Sequence, residues 1–320
     1  MSERIKKSVL IAVGGNSLIR AGQKGTIPEQ FANAHLACRQ IAEIVKRGMR
    51  VVLTHGNGPQ VGSQLLRSEL GASQAYTLPL DVCDAMTQGE IGYVLQNALQ
   101  SVLRELGVNS SVAAIVTQVL VDAHDPAFGH PTKPIGPFYT EETAEQKRSE
   151  LGWSIIEDAS RGYRRVVPSP KPLEIVELDV IRSCMAQGMV VIACGGGGIP
   201  VVRDNGAVRG VEAVIDKDRA SALLASHLGV ERMVISTDVE RVFIHFKKPQ
   251  QQPLRSLDVA QARRYLAAGQ FLEGSMKPKI EAALDFLEAG GAEVIITNPE
   301  HLVAALDGAA GTHILRRVSP

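Results

Sequence analysis

Short apolar runs alternate with longer segments of helical spacing along most of the chain. Runs of about four to eight apolar residues are typical of strands buried on both faces, and apolar residues three or four positions apart are typical of helices. The predicted strands are residues 9–13, 49–54, 111–121, 189–194, 233–236, 242–246 and 293–297. The predicted helices are residues 28–47, 60–70, 84–106, 175–187, 219–227, 259–268 and 275–288, with a further helix and strand at the end. This alternation predicts an α/β fold, a three-layer open and mainly parallel sheet with helices on both faces.

Residues 122–172 interrupt this alternation. The segment is rich in charges and contains Pro126, Pro131, Pro134, Pro137, Pro168, Pro170 and Pro172. Because proline is excluded from central strands, we expect a small subdomain that protrudes from the main sheet. The alternative is a disordered loop, but the segment has enough apolar residues for a small core. These residues are Phe128, Ile135, Phe138, Tyr139, Trp153, Ile155, Ile156 and Tyr163.

Three predicted strands run directly into glycines. The junctions are Gly14-Gly15-Asn16, Gly56-Asn57-Gly58 and the run from Gly195 to Gly198. Glycine lets the main chain approach a ligand closely, and converging N–H groups bind anions. They could instead be ordinary turns, and the acids at Asp216 and Asp218 could be helix caps. Their position at the carboxyl ends of strands, where open α/β sheets bind ligands, favours a ligand site.

Isolated lysines accompany these junctions and favour phosphate chemistry. Lys133 lies in the proline-rich segment, Lys217 lies between two aspartates, and Lys277 and Lys279 begin a predicted helix. Phosphoryl transfer requires mainly alignment and charge neutralisation, with Mg²⁺ bridging the nucleotide phosphates. Surface lysines are usually solvated, and we interpret Lys171 in that way. Neighbouring prolines make this interpretation less suitable for Lys133 and Lys279.

Other motifs and the composition exclude several classes of protein. The sequence has no P-loop, no dinucleotide fingerprint after the first strand and no nucleophile elbow. The 320 residues carry 34 basic and 34 acidic side chains, so no overall charge favours nucleic acid or a membrane surface. The four cysteines lack metal-ligand spacing, which indicates a reducing, cytoplasmic environment. No apolar run is long enough to predict a membrane span.

Taken together and in this order, the motifs resemble those of carbamate kinases over nearly the whole chain. The matching segments are residues 14–16, 55–61, 131–136, 157–158, 161–170, 195–200, 214–218, 274–276 and 278–279. The resemblance implies the amino acid kinase fold, a homodimer, and a single domain over residues 1–320 with the protruding subdomain at about 122–172. It also implies reversible phosphoryl transfer between ATP and carbamate, in which ADP and carbamoyl phosphate give ATP and carbamate, with Mg²⁺.

The resemblance assigns roles to residues at the matching positions. The glycine junctions would hold carbamate and the transferring phosphate, with the N-terminal part as the carbamate side and residues from about 190 to 320 as the nucleotide side. Those residues are Gly14, Gly15, Asn16, Gly56, Asn57 and Gly58, with Gly195, Gly196 and Gly197 lining the active centre. Lys217 would neutralise the phosphoryl group, Asp218 would orient the lysines, and both would join Lys279 in binding the nucleotide. Lys133 would reach the substrates from the subdomain. The resemblance assigns no metal ligand among the protein side chains.

Two other functions remain open at this point. The same fold could phosphorylate another small acid, or it could serve a catalytically inactive, regulatory homologue. The presence of Lys133, Lys217, Asp218 and Lys279 argues against an inactive homologue. Ser17 and Lys277 depart mildly from the family pattern, and Lys277 adds a charge near the nucleotide side.

Overall fold

A computed structural model describes residues 5–20, 22–158 and 162–317, and only the backbone of Ile5, Lys6, Asn16 and Asp158. The strands are β1 (Ile5–Val13), β2 (Arg50–His55), β3 (Val112–Ala114), β4 (Gln118–Val121), β5 (Lys133–Tyr139), β6 (Ile155–Asp158), β7 (Gly162–Val167), β8 (Pro172–Ile175), β9 (Val190–Ile192), β10 (Ile199–Asp204), β11 (Ala207–Gly210), β12 (Val230–Ser236), β13 (Val242–Ile244), β14 (Gln252–Leu254), β15 (Ser256–Asp258), β16 (Glu293–Thr297) and β17 (Thr312–Leu315). The helices are α1 (Ile27–Lys46), α2 (Gly58–Gly71), α3 (Leu80–Glu105), α4 (Glu141–Leu151), α5 (Leu178–Ala186), α6 (Lys217–Leu228), α7 (Val259–Ala267), α8 (Met276–Glu288) and α9 (Leu302–Leu306).

The main sheet has eight strands in the order β15-β17-β16-β12-β1-β2-β9-β3. Its pairs are parallel except for β16 with β17. Alternate residues of β1 enter the two apolar cores, one shared with α1, α3 and α9 and the other with α5, α6, α7 and α8. Both faces are therefore covered, which confirms the predicted three-layer α/β fold.

The predicted strand over residues 111–121 is wrong as a single element. The structure divides it into β3 of the main sheet and β4 of a separate sheet with the order β11-β10-β4-β8. At the break, the Thr117 N–H donates to Gln88 Oε1 at 2.7 Å, and Gln88 Nε2 donates to the Thr117 carbonyl at 3.1 Å. This long-range contact with α3 turns the chain out of the main sheet, and the local sequence does not encode it.

The proline-rich segment contains an antiparallel sheet with the order β5-β7-β6, together with α4. The expected core is only partly present. Ile155 is buried, but Phe138 and Ile156 are exposed, and Ile135 is buried in a cluster with Val61 and Leu65 of α2. In its place, Lys147 Nζ lies 4.8 Å from the centre of the Trp153 ring. Cation–π contacts thus replace part of the apolar packing that the composition suggested. Among the described residues, no helix combines the length and apolarity needed to cross a membrane.

Candidate active site

The glycine junctions and the predicted lysines meet at one cavity at the carboxyl edge of the main sheet. This cavity has a volume of about 270 Å³. Its lining comprises Gly15, Gly56, Asn57, Gly58, Pro59, Val61, Lys133, Pro134, Ile135, Gly196, Val214, Ile215, Asp216, Lys217, Asp218, Gly274, Ser275, Pro278 and Lys279. Two larger cavities, of about 540 and 490 Å³, have no lysine among their described lining residues, and a third, of about 310 Å³, has a single lysine, Lys171. We therefore take the smaller cavity, where three lysines meet the glycine junctions, as the candidate active site.

Helix α6 begins at the floor of this cavity with Asp216, Lys217 and Asp218. Asp216 caps the helix, because its Oδ1 accepts the Asp218 N–H at 2.9 Å. The other oxygen of Asp216 accepts from Lys133 Nζ at 2.8 Å. Lys133 comes from β5 of the protruding subdomain, so this ion pair ties the subdomain to the main domain directly beside the cavity. The sequence pattern did not predict this role for Asp216.

Asp218 holds two lysines at the same point. Its Oδ1 lies 2.6 Å from Lys217 Nζ and its Oδ2 lies 3.1 Å from Lys279 Nζ. The carboxyl group is buried, and burial alone would raise its pKa, but the two ammonium groups hold the pKa of Asp218 well below its usual range. A permanently ionised Asp218 thus fixes two positive charges that reach the cavity from α6 and α8.

Lys277, which lies in the first turn of α8 with Lys279, is directed elsewhere. Its Nζ pairs with Glu273, and the residue does not line the cavity. The positive charge that the sequence places near the nucleotide side is therefore neutralised locally.

The first two glycine junctions lie opposite the lysines. A Cβ atom on Gly56 would lie 3.2 Å from Lys217 Cδ and 3.3 Å from the Gly15 nitrogen, so this glycine permits close contact between the junctions and the lysine. A Cβ on Gly14 would lie 2.9 Å from the Ser236 carbonyl oxygen. Gly14 does not line the cavity, and its role in the structure is this close contact with β12. Gly15 and Gly58 line the cavity without such crowding.

The third junction, Gly195–Gly197, forms a tight buried turn after β9. Only Gly196 of these three lines the cavity. A Cβ on Gly195 would collide with the His55 ring, and one on Gly197 would collide with the Ile215 carbonyl oxygen. Gly195 and Gly197 therefore serve packing, and Gly196 is the one member of these three that also lines the cavity.

His55 is a structural residue at the end of β2. Its side chain is buried, and its Nδ1 lies 3.1 Å from the Gly56 carbonyl oxygen. Burial lowers the pKa of His55 to about 4. The contact with the Gly56 carbonyl opposes this effect, and the charge of Lys217 lowers the pKa by a smaller amount. The imidazole is consequently neutral at pH 7 and adds no charge beside the cavity.

The side chain of Asn57 is turned toward α3. Its amide nitrogen donates to Thr87 Oγ1 at 2.8 Å and also to Asp84 Oδ1. These two bonds use both amide hydrogens, so donation from this amide to a phosphate would require one of them to break. The side chain of Asn16 lies outside the described part of the structure. Asp84 was not predicted, since a single acid within a helix carries no recognisable signal.

The described residues include no group of three or more His, Cys, Asp or Glu side chains arranged to hold a metal ion. The acids that line the cavity, Asp216 and Asp218, are already paired with lysines. The chemistry that this arrangement supports is therefore the binding of phosphate groups between ammonium groups and main-chain N–H groups.

Comparison with known proteins agrees with this chemistry. A sequence model of the amino acid kinase family matches residues 7–298. The carbamate kinase of Thermococcus kodakarensis is 49% identical over 314 residues, which cover 97% of this chain and 99% of that protein. The carbamate kinase of Pyrococcus furiosus is 48% identical over 312 residues, with coverages of 97% and 99%. The structure of Giardia lamblia carbamate kinase bound to AMP-PNP superposes with a TM-score of 0.91 at 44% identity, covering 97% of this chain and 98% of that one.

The chain belongs to the amino acid kinase family. Within that family, its full-length similarity is to carbamate kinases, both in sequence and in fold. The expectation of a phosphotransferase of this type, drawn from the motifs, is confirmed.

Proposed function

We propose that the chain transfers a phosphoryl group reversibly between ATP and carbamate at the lysine-lined cavity. The observation that carries this proposal is the convergence of Lys217 and Lys279 on the two oxygens of the buried Asp218. Two fixed ammonium groups opposite glycine main chain provide the charge neutralisation that phosphoryl transfer requires.

We infer the roles of the residues from their positions. The main chain of Gly15, Asn57 and Gly58, which line the cavity, would donate N–H groups to the carbamate and the transferring phosphate. The Gly56 N–H donates to the Val13 carbonyl oxygen at 3.1 Å, so this glycine contributes close approach rather than a donor. Lys217 neutralises the phosphoryl oxygens, while Lys279 binds the nucleotide phosphates from α8. In the direction of ATP synthesis, the bond from phosphorus to the carbamate oxygen breaks as a bond to the terminal ADP oxygen forms. The attacking oxygen is already anionic, so no general base is needed, consistent with a neutral, buried His55.

We propose that Mg²⁺ enters with the nucleotide. Mg²⁺ commonly takes its ligands from substrate phosphates and water with only one or two carboxylates. Among the described residues, the acids that line the cavity are Asp216 and Asp218, and their pairing with lysines suits a metal held mainly by phosphate oxygens. When bound, the ion would neutralise charge on the nucleotide phosphates.

We also propose that different parts of the chain bind the two substrates. The N-terminal junctions form the carbamate side and residues from about 190 to 320 the nucleotide side of one domain. Lys133 reaches the cavity from the protruding subdomain and pairs there with Asp216, which supports a role for the subdomain in covering the substrates. The four cysteines are free, which supports a reducing, cytoplasmic environment.

A homodimer is supported by an apolar strip on α3. Val82, Met86 and Tyr93 are exposed and lie on one face of the helix, because positions four and eleven residues apart coincide on a helical surface. The N–H groups of Val112 and Ala114 at the edge of the main sheet donate to glutamines of α3, so strand pairing is not the favoured contact. We propose that a second copy packs on this helical face.

Tyr93→Arg tests this contact. The variant should convert the dimer to a monomer in light scattering, and an unchanged mass would contradict the assignment.

A panel of acceptors tests the proposed reaction. The protein is incubated with ATP and Mg²⁺ and with carbamate, acetate or N-acetylglutamate, and ADP formation is followed. We expect ADP formation to depend on carbamate and to exceed that with the other two acids at least tenfold. Preference for another acid would replace carbamate as the substrate, and no reaction with any acid would indicate an inactive homologue.

A further inference from the structure

Asp84 is a buried acid beside the cavity that the proposed reaction does not use. It lies in the first turns of α3 with no exposed surface. One oxygen, Oδ1, accepts from the Asn57 amide, whereas the other, Oδ2, is buried without a hydrogen-bond partner. An acid in this position is costly to bury, so its presence calls for a functional explanation.

Asp84 is connected to both sides of the phosphate site. Asn57, which it holds, lies in the second glycine junction and lines the cavity. A Cβ on Gly196 would lie 2.7 Å from Asn57 Cγ and 2.9 Å from Asp84 Oδ1, so the third junction packs directly on this pair. One turn further along α3, Gln88 Nε2 donates to the Gly195 carbonyl at 3.0 Å. Helix α3 therefore fixes two of the three glycine junctions through adjacent turns.

The charge of this carboxyl group matters because the cavity binds anions. Burial and, more weakly, the negative Asp81 raise the pKa of Asp84 to about 8, while the Asn57 hydrogen bond opposes this effect. Near pH 7 the group is therefore mostly uncharged. Ionisation would place a negative charge beside Asn57 and Gly196, which line the site expected to hold phosphate.

Several other ionisable groups surround Asp84. From β2, His55 is neutral because its pKa is lowered to about 4. Burial raises the pKa of Cys83, on the same helix, to about 11, and it raises the pKa of Cys194, which precedes the glycine turn, further still. The charged side chains nearby are those of Asp81 on α3, Lys217 on α6, and the Arg165–Glu212 pair that contacts the start of α3.

We propose that Asp84 is a positioning residue of the phosphate site, that it acts through Asn57 and Gly196, and that the site binds its anionic ligand when the Asp84 carboxyl group carries a proton. This inference rests on the proposed location of the phosphate site. Its consequence is that affinity for carbamoyl phosphate falls as pH rises through the titration of Asp84. If only the protonated form binds, the apparent dissociation constant increases by about 30-fold between pH 7 and pH 9.5.

The test compares the wild type with Asp84→Asn, Asp84→Ala and the matched control Asp81→Asn. Calorimetric titration of carbamoyl phosphate without nucleotide, from pH 6.5 to 9.5, gives the dissociation constant, and ATP formation gives KM for carbamoyl phosphate and for ADP. We expect Asp84→Asn, which keeps the shape and the acceptor for Asn57, to bind within about threefold of wild type at pH 7. The affinity of this variant for carbamoyl phosphate should no longer fall as the pH rises to 9.5. Asp81→Asn should retain this weakening at slightly lower pH, because it removes a charge that raises the pKa of Asp84.

Asp84→Ala tests the positioning role separately from the charge. The Asn57 amide would then keep Thr87 as its acceptor but lose Asp84. KM for carbamoyl phosphate should rise by about 5- to 150-fold, with a smaller change in KM for ADP. The same alkaline weakening in Asp84→Asn as in wild type, or no weakening in wild type, would overturn the inference. If carbamoyl phosphate binds with the Asp84-dependent pH profile but ATP is not formed, the positioning role stands and the proposed reaction fails. Thermal unfolding of each variant distinguishes a loss of affinity from a loss of folding.

Discussion

Replacement of Lys217 by methionine removes the charge that the account places on the transferring phosphoryl group. The side chain is 14% exposed and lies along Gly56, so methionine keeps most of the packing that alanine would lose. The change removes one of the two lysines that face Asp218 and leaves the second, Lys279, in place. The buried carboxylate therefore retains a partner, and the loss of stability should stay below the roughly 3–5 kcal/mol expected when a buried charge is left unpaired.

The effect on turnover should be larger than the effect on folding. Two unit charges about 4 Å apart interact by roughly 4 kcal/mol at an effective dielectric constant of about 20. Part of this energy is present in the ground state, so the loss in kcat should resemble that for an oxyanion donor, about 10²- to 10³-fold. The assay is ATP formation from ADP and carbamoyl phosphate, with thermal unfolding measured on the same sample.

Lys277→Met is the matched control for this prediction. Lys277 lies in the first turn of α8, close to Lys279, but it pairs with Glu273 and does not line the cavity. We expect its kcat to remain within about threefold of wild type. A folded Lys217→Met variant that also keeps kcat within threefold would refute the proposed role of Lys217 in neutralising the phosphoryl group.

Three further predictions concern the subdomain, the first glycine junction and α3. Lys133→Met should change the melting temperature little, because the side chain is 37% exposed and such pairs contribute at most about 1 kcal/mol. Its turnover should fall sharply while Lys171→Met retains activity, and equal loss of ADP and carbamoyl phosphate binding in calorimetry would instead indicate misfolding. Gly14→Ala should lower the melting temperature, because its Cβ would lie 2.9 Å from a main-chain oxygen; Gly15→Ala should keep the fold but lose activity, and full activity would make that junction an ordinary turn. Asp84→Asn should be increasingly more stable than wild type from pH 5 to pH 8 in thermal unfolding, because the raised pKa makes the folded wild type lose stability as pH rises over this range; a pH-independent difference would contradict the buried proton.

The sequence predicted the parts of the site that depend on local patterns. Apolar runs that end in glycine placed the three junctions at the carboxyl ends of strands, and the aspartates around Lys217 correctly indicated the start of a helix. These signals work because the strand period, glycine and the helix cap each leave a short-range trace.

Contacts between distant segments account for what was missed. Strands β10 and β11 were not predicted, and residues 111–121 were assigned to one strand, because the turn at Thr117 depends on Gln88 from α3. The Asp84–Asn57 contact joins positions 27 residues apart, and neither residue carries a pattern that indicates the other. Gly195 and Gly197 were expected to line the active centre, but they pack against His55 and Ile215 instead. These contacts exist only in the folded chain, so the local sequence does not reveal them.

The most direct test of the account is ATP formation by the purified wild type from ADP, Mg²⁺ and carbamoyl phosphate, measured beside Lys217→Met and a reaction without protein. We expect rapid ATP formation by wild type and a rate at least about 10²-fold lower for the variant. ATP formation by wild type no faster than the reaction without protein would contradict the assignment of carbamoyl phosphate as the phosphoryl donor.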